Sequence, residues 1–247
     1  MKTKTPPAQP DPMPPPSAVA PHKPIRTFVV DIGGTGIKAM VLNEIGEPIK
    51  ERKRVPTPRS GKPEEIILAI EQLAKDFGPF HRISVGFPGV VRNGVVGTAV
   101  NLAPQWKDFN LTKALEAKFK KPVRAANDAD VQGFGAISGK GVELVLTLGT
   151  GVGSSLFVDG RLVPNVEVGR SRLRDDELTR IGKKKWNRRV AKVVAKLDRM
   201  FHYDRLYIGG GNAATVDISL LPGHVTIVSN LNGLLGGIAL WNGGPAQ

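Results

Sequence analysis

An internal repeat constrains this chain more than any other feature. Residues 27–55, TFVVDIGGTGIKAMVLNEIGEPIKERKRV, read as a strand, a glycine-rich turn, a second strand, a turn at Glu44–Pro48 and a third strand. Residues 143–163, ELVLTLGTGVGSSLFVDGRLV, restart the same pattern. An offset of 116 residues lays Gly33 on Gly149, Leu42 on Val158 and Asn43 on Asp159. Between and after the repeats, strands alternate with helices, so the expected fold is α/β with two similar lobes facing a cleft. The expected division is an N-terminal lobe over 25–125 and a C-terminal lobe over 126–247. A closing helix at about 231–241, LNGLLGGIALW, carries paired glycines that admit a close neighbour.

Other elements follow from local signals. Pro63 to Phe77 is amphipathic, with proline in the first turn and Gly78 just beyond its end. RISVGFPG is a buried strand, and VVRNGVV a hairpin turning at Asn93-Gly94. Asn110 is placed to cap the helix LTKALEAKF, and PVRAANDAD runs from a strand into a helix near Asp128. Residues 1–24 hold nine of the 20 prolines and form an expected disordered or extended tail. That tail has no apolar core of a secretory signal, and no apolar run elsewhere suffices to span a bilayer. A cytoplasmic protein is expected. With no cysteine, disulfides, thiolate zinc sites, iron–sulfur clusters and a catalytic thiol are excluded. The four histidines are too scattered to suggest a metal site.

Three glycine-rich turns and one carboxylate carry the candidate chemistry. In DIGGTGIK, backbone N–H groups of Gly33, Gly34 and Gly36 can cradle phosphate oxygens, and Thr35 adds a hydroxyl. Asp31 stands at a strand end, suited to a metal–water complex, and Lys38 follows the turn. The segment lacks G-K-[ST] and opens into a strand, so it is neither a Walker loop nor a dinucleotide fingerprint. LGTGVG supplies the matching turn, with Gly149, Thr150, Gly151 and Gly153. Two such turns on one cleft suit a polyphosphate or nucleoside triphosphate better than either alone. In NDAD, Asp128 can act as general base toward a hydroxyl, or merely cap its helix. Gly209, Gly210 and Gly211, at a strand end in YIGGG, leave room for a flat ligand or for close helix packing.

The ordered set DIGGTGIK, GFPGVV, NLAPQW, NDAD, LGTGVGSSLF, EVG and YIGGG, over roughly residues 26–241, resembles the ROK sugar kinases, especially their polyphosphate/ATP-dependent glucokinase branch. The resemblance implies an actin-like ATPase, hexokinase-type fold. It implies transfer of a terminal phosphoryl group, with Mg²⁺, from ATP or polyphosphate to the 6-hydroxyl of a sugar. Carried over by motif, Asp128 is the base, Asn127, Glu167 and Asn101 bind sugar, the two turns hold phosphates, and Gly209–Gly211 lie by the adenosine. A homodimer is also an expectation from the family. The chain departs from it first in the sugar loop: most relatives read Glu-x-Gly-His where this sequence has Glu167-Val168-Gly169-Arg170. Arg170 either donates to the sugar or neutralises Glu167 and blocks the pocket. The link from Gly169 to the helix around Trp186 is also short. The alternative reading is therefore a catalytically impaired homologue that binds a sugar, nucleotide or polyanion. The cysteine-rich zinc motif of many relatives is absent, and mannose, fructose or an N-acetyl hexosamine stand as other acceptors.

The net charge is +13, and eight of those charges fall between Arg180 and Arg199, with nine Lys/Arg against Asp198. Trp186, Val190, Val193, Val194, Leu197 and Phe201 fall at helical spacing, so a helix over about 180–201 buries one face and presents a cationic stripe on the other. That stripe is a solvated surface, a polyphosphate track or, least favoured, a nucleic-acid surface, since the chain shows no helix-turn-helix reader.

Overall fold

Each copy of the repeat opens a five-stranded sheet. The computed structural model describes residues 24–241 apart from 100, 165, 169–171 and 230–231. The proline-rich residues 1–23 and Arg170 lie outside the described residues. In chain order, β1 (Thr27–Ile32), β2 (Gly36–Leu42) and β3 (Lys53–Pro56) form an antiparallel meander. Helix α1 (Pro63–Ala74) leads to β4 (Arg82–Phe87), parallel to β1. A small hairpin, β5 (Val91–Arg92) and β6 (Val95–Val96), and α2 (Leu111–Phe119) precede β7 (Val123–Asn127), parallel to β4. The sheet order is β3-β2-β1-β4-β7.

Helix α3 (Asp128–Phe134) then leads to the second meander, β8 (Val142–Leu148), β9 (Val152–Val158) and β10 (Arg161–Val163). Helices α4 (Asp175–Ile181) and α5 (Lys183–Phe201) follow. Strands β11 (Arg205–Gly209) and β12 (Val225–Ile227) complete the order β10-β9-β8-β11-β12. The described chain ends in α6 (Asn232–Leu235) and a 3-10 segment, Gly236–Trp241.

Local chemistry explains most of these elements. Phe28, Val29, Val30 and Ile32 are fully buried, as a strand flanked on both sides must be. Helix α1 buries Ile66, Ile70 and Leu73 on one stripe, with Pro63 and the acidic Glu64 and Glu65 in its first turn. It ends three residues before Phe77, which is itself buried. Asn93 (φ 50°) and Gly94 (φ 74°) make the left-handed pair that a two-residue hairpin needs. Asn110 caps α2 by accepting the Lys113 N–H at 2.9 Å.

Two expected helices are corrected. The basic helix does not run unbroken from 180: Gly182, at φ 76°, divides α4 from α5 and leaves Arg180 on α4, paired with Glu177 at 2.8 Å. The closing segment is α-helical over only four residues and continues as a 3-10 turn. Its glycines serve as expected. A Cβ on Gly236 would lie 1.8 Å from the Val131 carbonyl oxygen of α3, and one on Gly237 2.5 Å from Val29. The segment docks on the first sheet: Ser84 Oγ donates to the Gly237 carbonyl (2.7 Å), and Trp241 Nε1 donates to Ser84 Oγ (2.8 Å). On its other side α3 packs against the second sheet, where Gly133 closes on Phe157 and Ser155.

The 116-residue offset superposes the strand ends, since 36–42 falls on 152–158. The pairing does not follow it fully. Asp31 faces Lys38, whereas Thr147 faces Gly153 rather than Ser154. One meander is thus in a register one residue different from the other.

Candidate active site

Strand β7 delivers Asn127 and Asp128 to the start of α3, where orphan N–H groups need acceptors. Asn127 is the cap: its Oδ1 accepts from Ala129 (2.8 Å) and Asp130 (3.3 Å), and its Nδ2 donates to the Gly89 carbonyl at 3.1 Å. That leaves one amide hydrogen of Asn127 uncommitted. Asp128 Oδ1 accepts from Ala129 N at 2.8 Å.

Burial, and then the nearby charge of Asp31, push the Asp128 carboxyl up to about 7; the Ala129 N–H and Lys38 oppose them. Gly86 lies beside both carboxylates: a Cβ there would stand 3.5 Å from Asp128 Cα and 3.8 Å from Asp31 Oδ1, ordinary contact distances. Lys38 Nζ holds Asp31 Oδ2 at 2.8 Å.

Asp128 lies in a cleft of about 950 Å³ lined by both halves of the chain. From the first half come Asp31, Gly33, Gly34, Thr35, Gly36 and Lys38, together with Asn101. From the second come Gly149, Thr150, Gly151 and Gly153, with Gly210 and Gly211. Glu167 reaches the same cleft and is exposed. Ser154 fastens the loop on either side of it, donating to the Val166 carbonyl (2.7 Å) and accepting from Val168 N (3.0 Å). One expected residue is displaced: Gly209 does not line the cleft. It lies in β11, where its missing side chain makes room for Gln132, whose Nε2 would stand 2.2 Å from a Cβ. Arg170 cannot be placed among the described residues.

Several cleft residues escaped sequence reasoning: Arg54, Gln132, Thr147, Arg174 and Asn212. None sits in a recognisable motif. Tertiary pairing alone brings them in, except Thr147, which ends the strand before the second turn.

The cleft suits an anion rich in acceptor oxygens. Among the described residues, four buried side-chain N or O atoms lack a partner: Gln132 Nε2, Arg174 Nε, Asn212 Nδ2 and His224 Nε2. The first three belong to cleft residues and are nitrogens able to donate. A buried donor left unpaired is costly, and an acceptor-rich ligand that reached these side chains would relieve it. No group of three or more His, Cys, Asp or Glu side chains able to hold a metal occurs among the described residues. Asp31 is the carboxylate facing the cleft beside the first turn, which suits a Mg²⁺ carried mainly by phosphates and water.

Comparison with known proteins agrees with this geometry. Residues 27–168 match the ROK family. The chain is 31% identical over 236 residues to the polyphosphate glucokinase of Mycobacterium leprae (strain TN), covering 85% of this chain and 73% of that protein. It superposes on the inorganic polyphosphate/ATP-glucomannokinase of Arthrobacter sp. strain KM with a TM-score of 0.79 and 29% identity, over 88% of this chain and 99% of that one. A ROK glucokinase of Streptomyces griseus, solved with glucose and AMPPNP, shares the fold (TM-score 0.73, 20% identity, 87% of this chain and 98% of that one). The fold is therefore the actin-like, hexokinase-type α/β fold, and the chain belongs to the ROK family.

Proposed function

We propose that this protein is a sugar kinase that moves the terminal phosphoryl group of polyphosphate or ATP to the 6-hydroxyl of glucose. The observation that carries the reading is Asp128: a carboxyl poised at about 7, between two glycine turns in one cleft. A base of that strength is half ionised near neutrality, where proton acceptance from a hydroxyl is most effective.

In this reading glucose lies against Asn127, Asn101 and Glu167. The sugar O6 gives its proton to Asp128 as it bonds the terminal phosphorus, and the bond from phosphorus to the rest of the donor breaks. The departing phosphate chain keeps that electron pair and is held by N–H groups of the turns at 33–36 and 149–153, with Gly210 and Gly211 beside a nucleoside when ATP is the donor. Mg²⁺ near Asp31 would supply charge neutralisation on the donor's phosphates. Residues 25–125 and 126–247 act as two lobes, with the closing segment at 232–241 packed back on the first, and α3, which bears Asp128, touches both sheets. Lobe closure would exclude water as a competing acceptor. In this reading the enzyme is cytoplasmic and dimeric, and the cations of α5, of which Arg189 is paired with Glu177, suit a long polyanion outside the cleft; among the described residues no helix is long and apolar enough to cross a membrane.

The test is glucose 6-phosphate formation with Mg²⁺ and either ATP or polyphosphate, beside Asp128→Asn. The variant is expected to lose about 10²–10⁴-fold in kcat with glucose affinity retained. A variant that keeps more than a few percent of activity removes Asp128 from the role, since a general base contributes about 10²-fold or more. Wild-type protein that is folded but inactive with both donors points to the binding homologue, and makes Arg170→His the variant to restore activity.

A further inference from the structure

The first half brings two cations to the cleft, Lys38 and Arg54, and among the described residues only Lys38 has a carboxylate partner. Asp31, Lys38 and Arg54 occupy facing positions on β1, β2 and β3, so their side chains rise from one face of the sheet in a row. Lys38 is taken up by Asp31 at 2.8 Å. Arg54 has no carboxylate partner among the described residues; its one hydrogen bond runs from Nη2 to the Thr35 carbonyl, 3.1 Å away. That bond lays the guanidinium across the first glycine turn. A Cβ on Gly36 would stand 2.5 Å from Nε and 2.6 Å from Nη2, so the arrangement requires glycine there. Arg54 is exposed and lines the cleft.

We infer that Arg54 is a binding residue for the phosphoryl donor, gripping phosphate oxygens against the turn at 33–36. The inference rests on the sugar-kinase reading and names a residue that no motif of that reading contains. A guanidinium has five N–H donors in a rigid fork, and one is used here. The remaining fork matches two oxygens of a phosphate at once, which an ammonium does not. Because the ligand is the phosphate chain itself, ATP and polyphosphate depend on Arg54 alike.

The experiment compares wild type, Arg54→Gln and Arg54→Lys in steady-state kinetics with each donor. Calorimetry of inorganic tripolyphosphate binding and of glucose binding accompanies it. Arg54→Gln should raise KM for both donors, and the tripolyphosphate Kd, by about tenfold or more, while glucose KM and Kd stay within about twofold. Arg54→Lys should recover part of the loss. Unchanged donor constants overturn the inference. So does a rise confined to ATP, which would put Arg54 on the nucleoside, or a parallel rise for glucose, which would mark a structural role. Absent turnover in the wild type defeats the kinase reading alone, because the tripolyphosphate arm still decides Arg54.

Discussion

The two meanders share a backbone and divide the chemistry. Where Asp31 stands in the first, Thr147 stands in the second; Asp31 faces a lysine and Thr147 faces a glycine. The first turn is therefore bordered by an ion pair that acts on the Asp128 base. At the second, Thr147 Oγ1 accepts the Gly153 N–H at 3.1 Å, a neutral hydrogen bond. At the far ends of the same strands the allotment reverses. Thr27 is buried and accepts Arg82 Nε at 2.8 Å. Its counterpart Glu143 is buried and ionised, and receives Ser138 N and Oγ, Gly139 N, Lys140 N and the Tyr207 hydroxyl at 2.7–3.2 Å. At these matched strand positions the repeat thus carries its carboxylate next to the reaction in one half and in the scaffold in the other.

The sharpest way to break this contrast is Lys38→Met. Without the ammonium, Asp31 acts on Asp128 unopposed, and the base rises above about 7. Since Asp128 must be ionised to accept a proton, kcat/KM climbs with pH through that value. The variant's acid limb should move up by about one unit, with about a fivefold loss at pH 7. A pH–rate profile that does not move would separate the ion pair from the base.

In the scaffold the corresponding test is Glu143→Gln, expected to cost about 1.5–3 kcal/mol of stability in a denaturant titration with little change in kcat. Burial alone would raise the Glu143 carboxyl, but the Ser138, Tyr207 and Gly139 hydrogen bonds outweigh it and hold it below the ordinary 4.5. The folded state therefore favours the ionised form. That contribution is full above about 4.5 and is lost as pH falls through the lowered value. The gap between wild type and variant should accordingly narrow in acid, and a gap independent of pH would deny the carboxylate its role. The smallest effect is assigned to Thr147→Val, about 1 kcal/mol in stability for one neutral hydrogen bond and no displacement of the acid limb. If Thr147→Val moved the profile as far as Lys38→Met, the division of labour would be wrong.

Much of this was legible because it is local. Alternating apolar residues, the Asn93-Gly94 turn and the Asn110 cap each act within a few residues, and the structure holds them where the pattern put them. The cleft's glycine turns and Asp128 were legible for the same reason. Asn127 was only half so: its reading as a sugar ligand overlooked that the cap of α3 uses its carbonyl, a task that fell to it rather than to Asp128. The basic stretch was misjudged at Gly182, whose positive φ is a backbone choice that the surrounding lysines do not announce.

The sequence by itself determined two α/β halves, each opening with a strand, a glycine turn and a strand, because hydrophobic period and turn chemistry act at short range. Only the tertiary structure decided which side chains meet across the strands. The offset that superposes Gly33 on Gly149 also aligns Lys38 with Ser154, yet Gly153 is the residue opposite Thr147. Cross-strand register is settled by turn geometry and by which faces are buried, and a slip of one residue exchanges every neighbour. The same long-range pairing sets Arg54 beside Lys38, 16 residues later in the chain, and closes Gly236 onto α3 from the far end of the described chain.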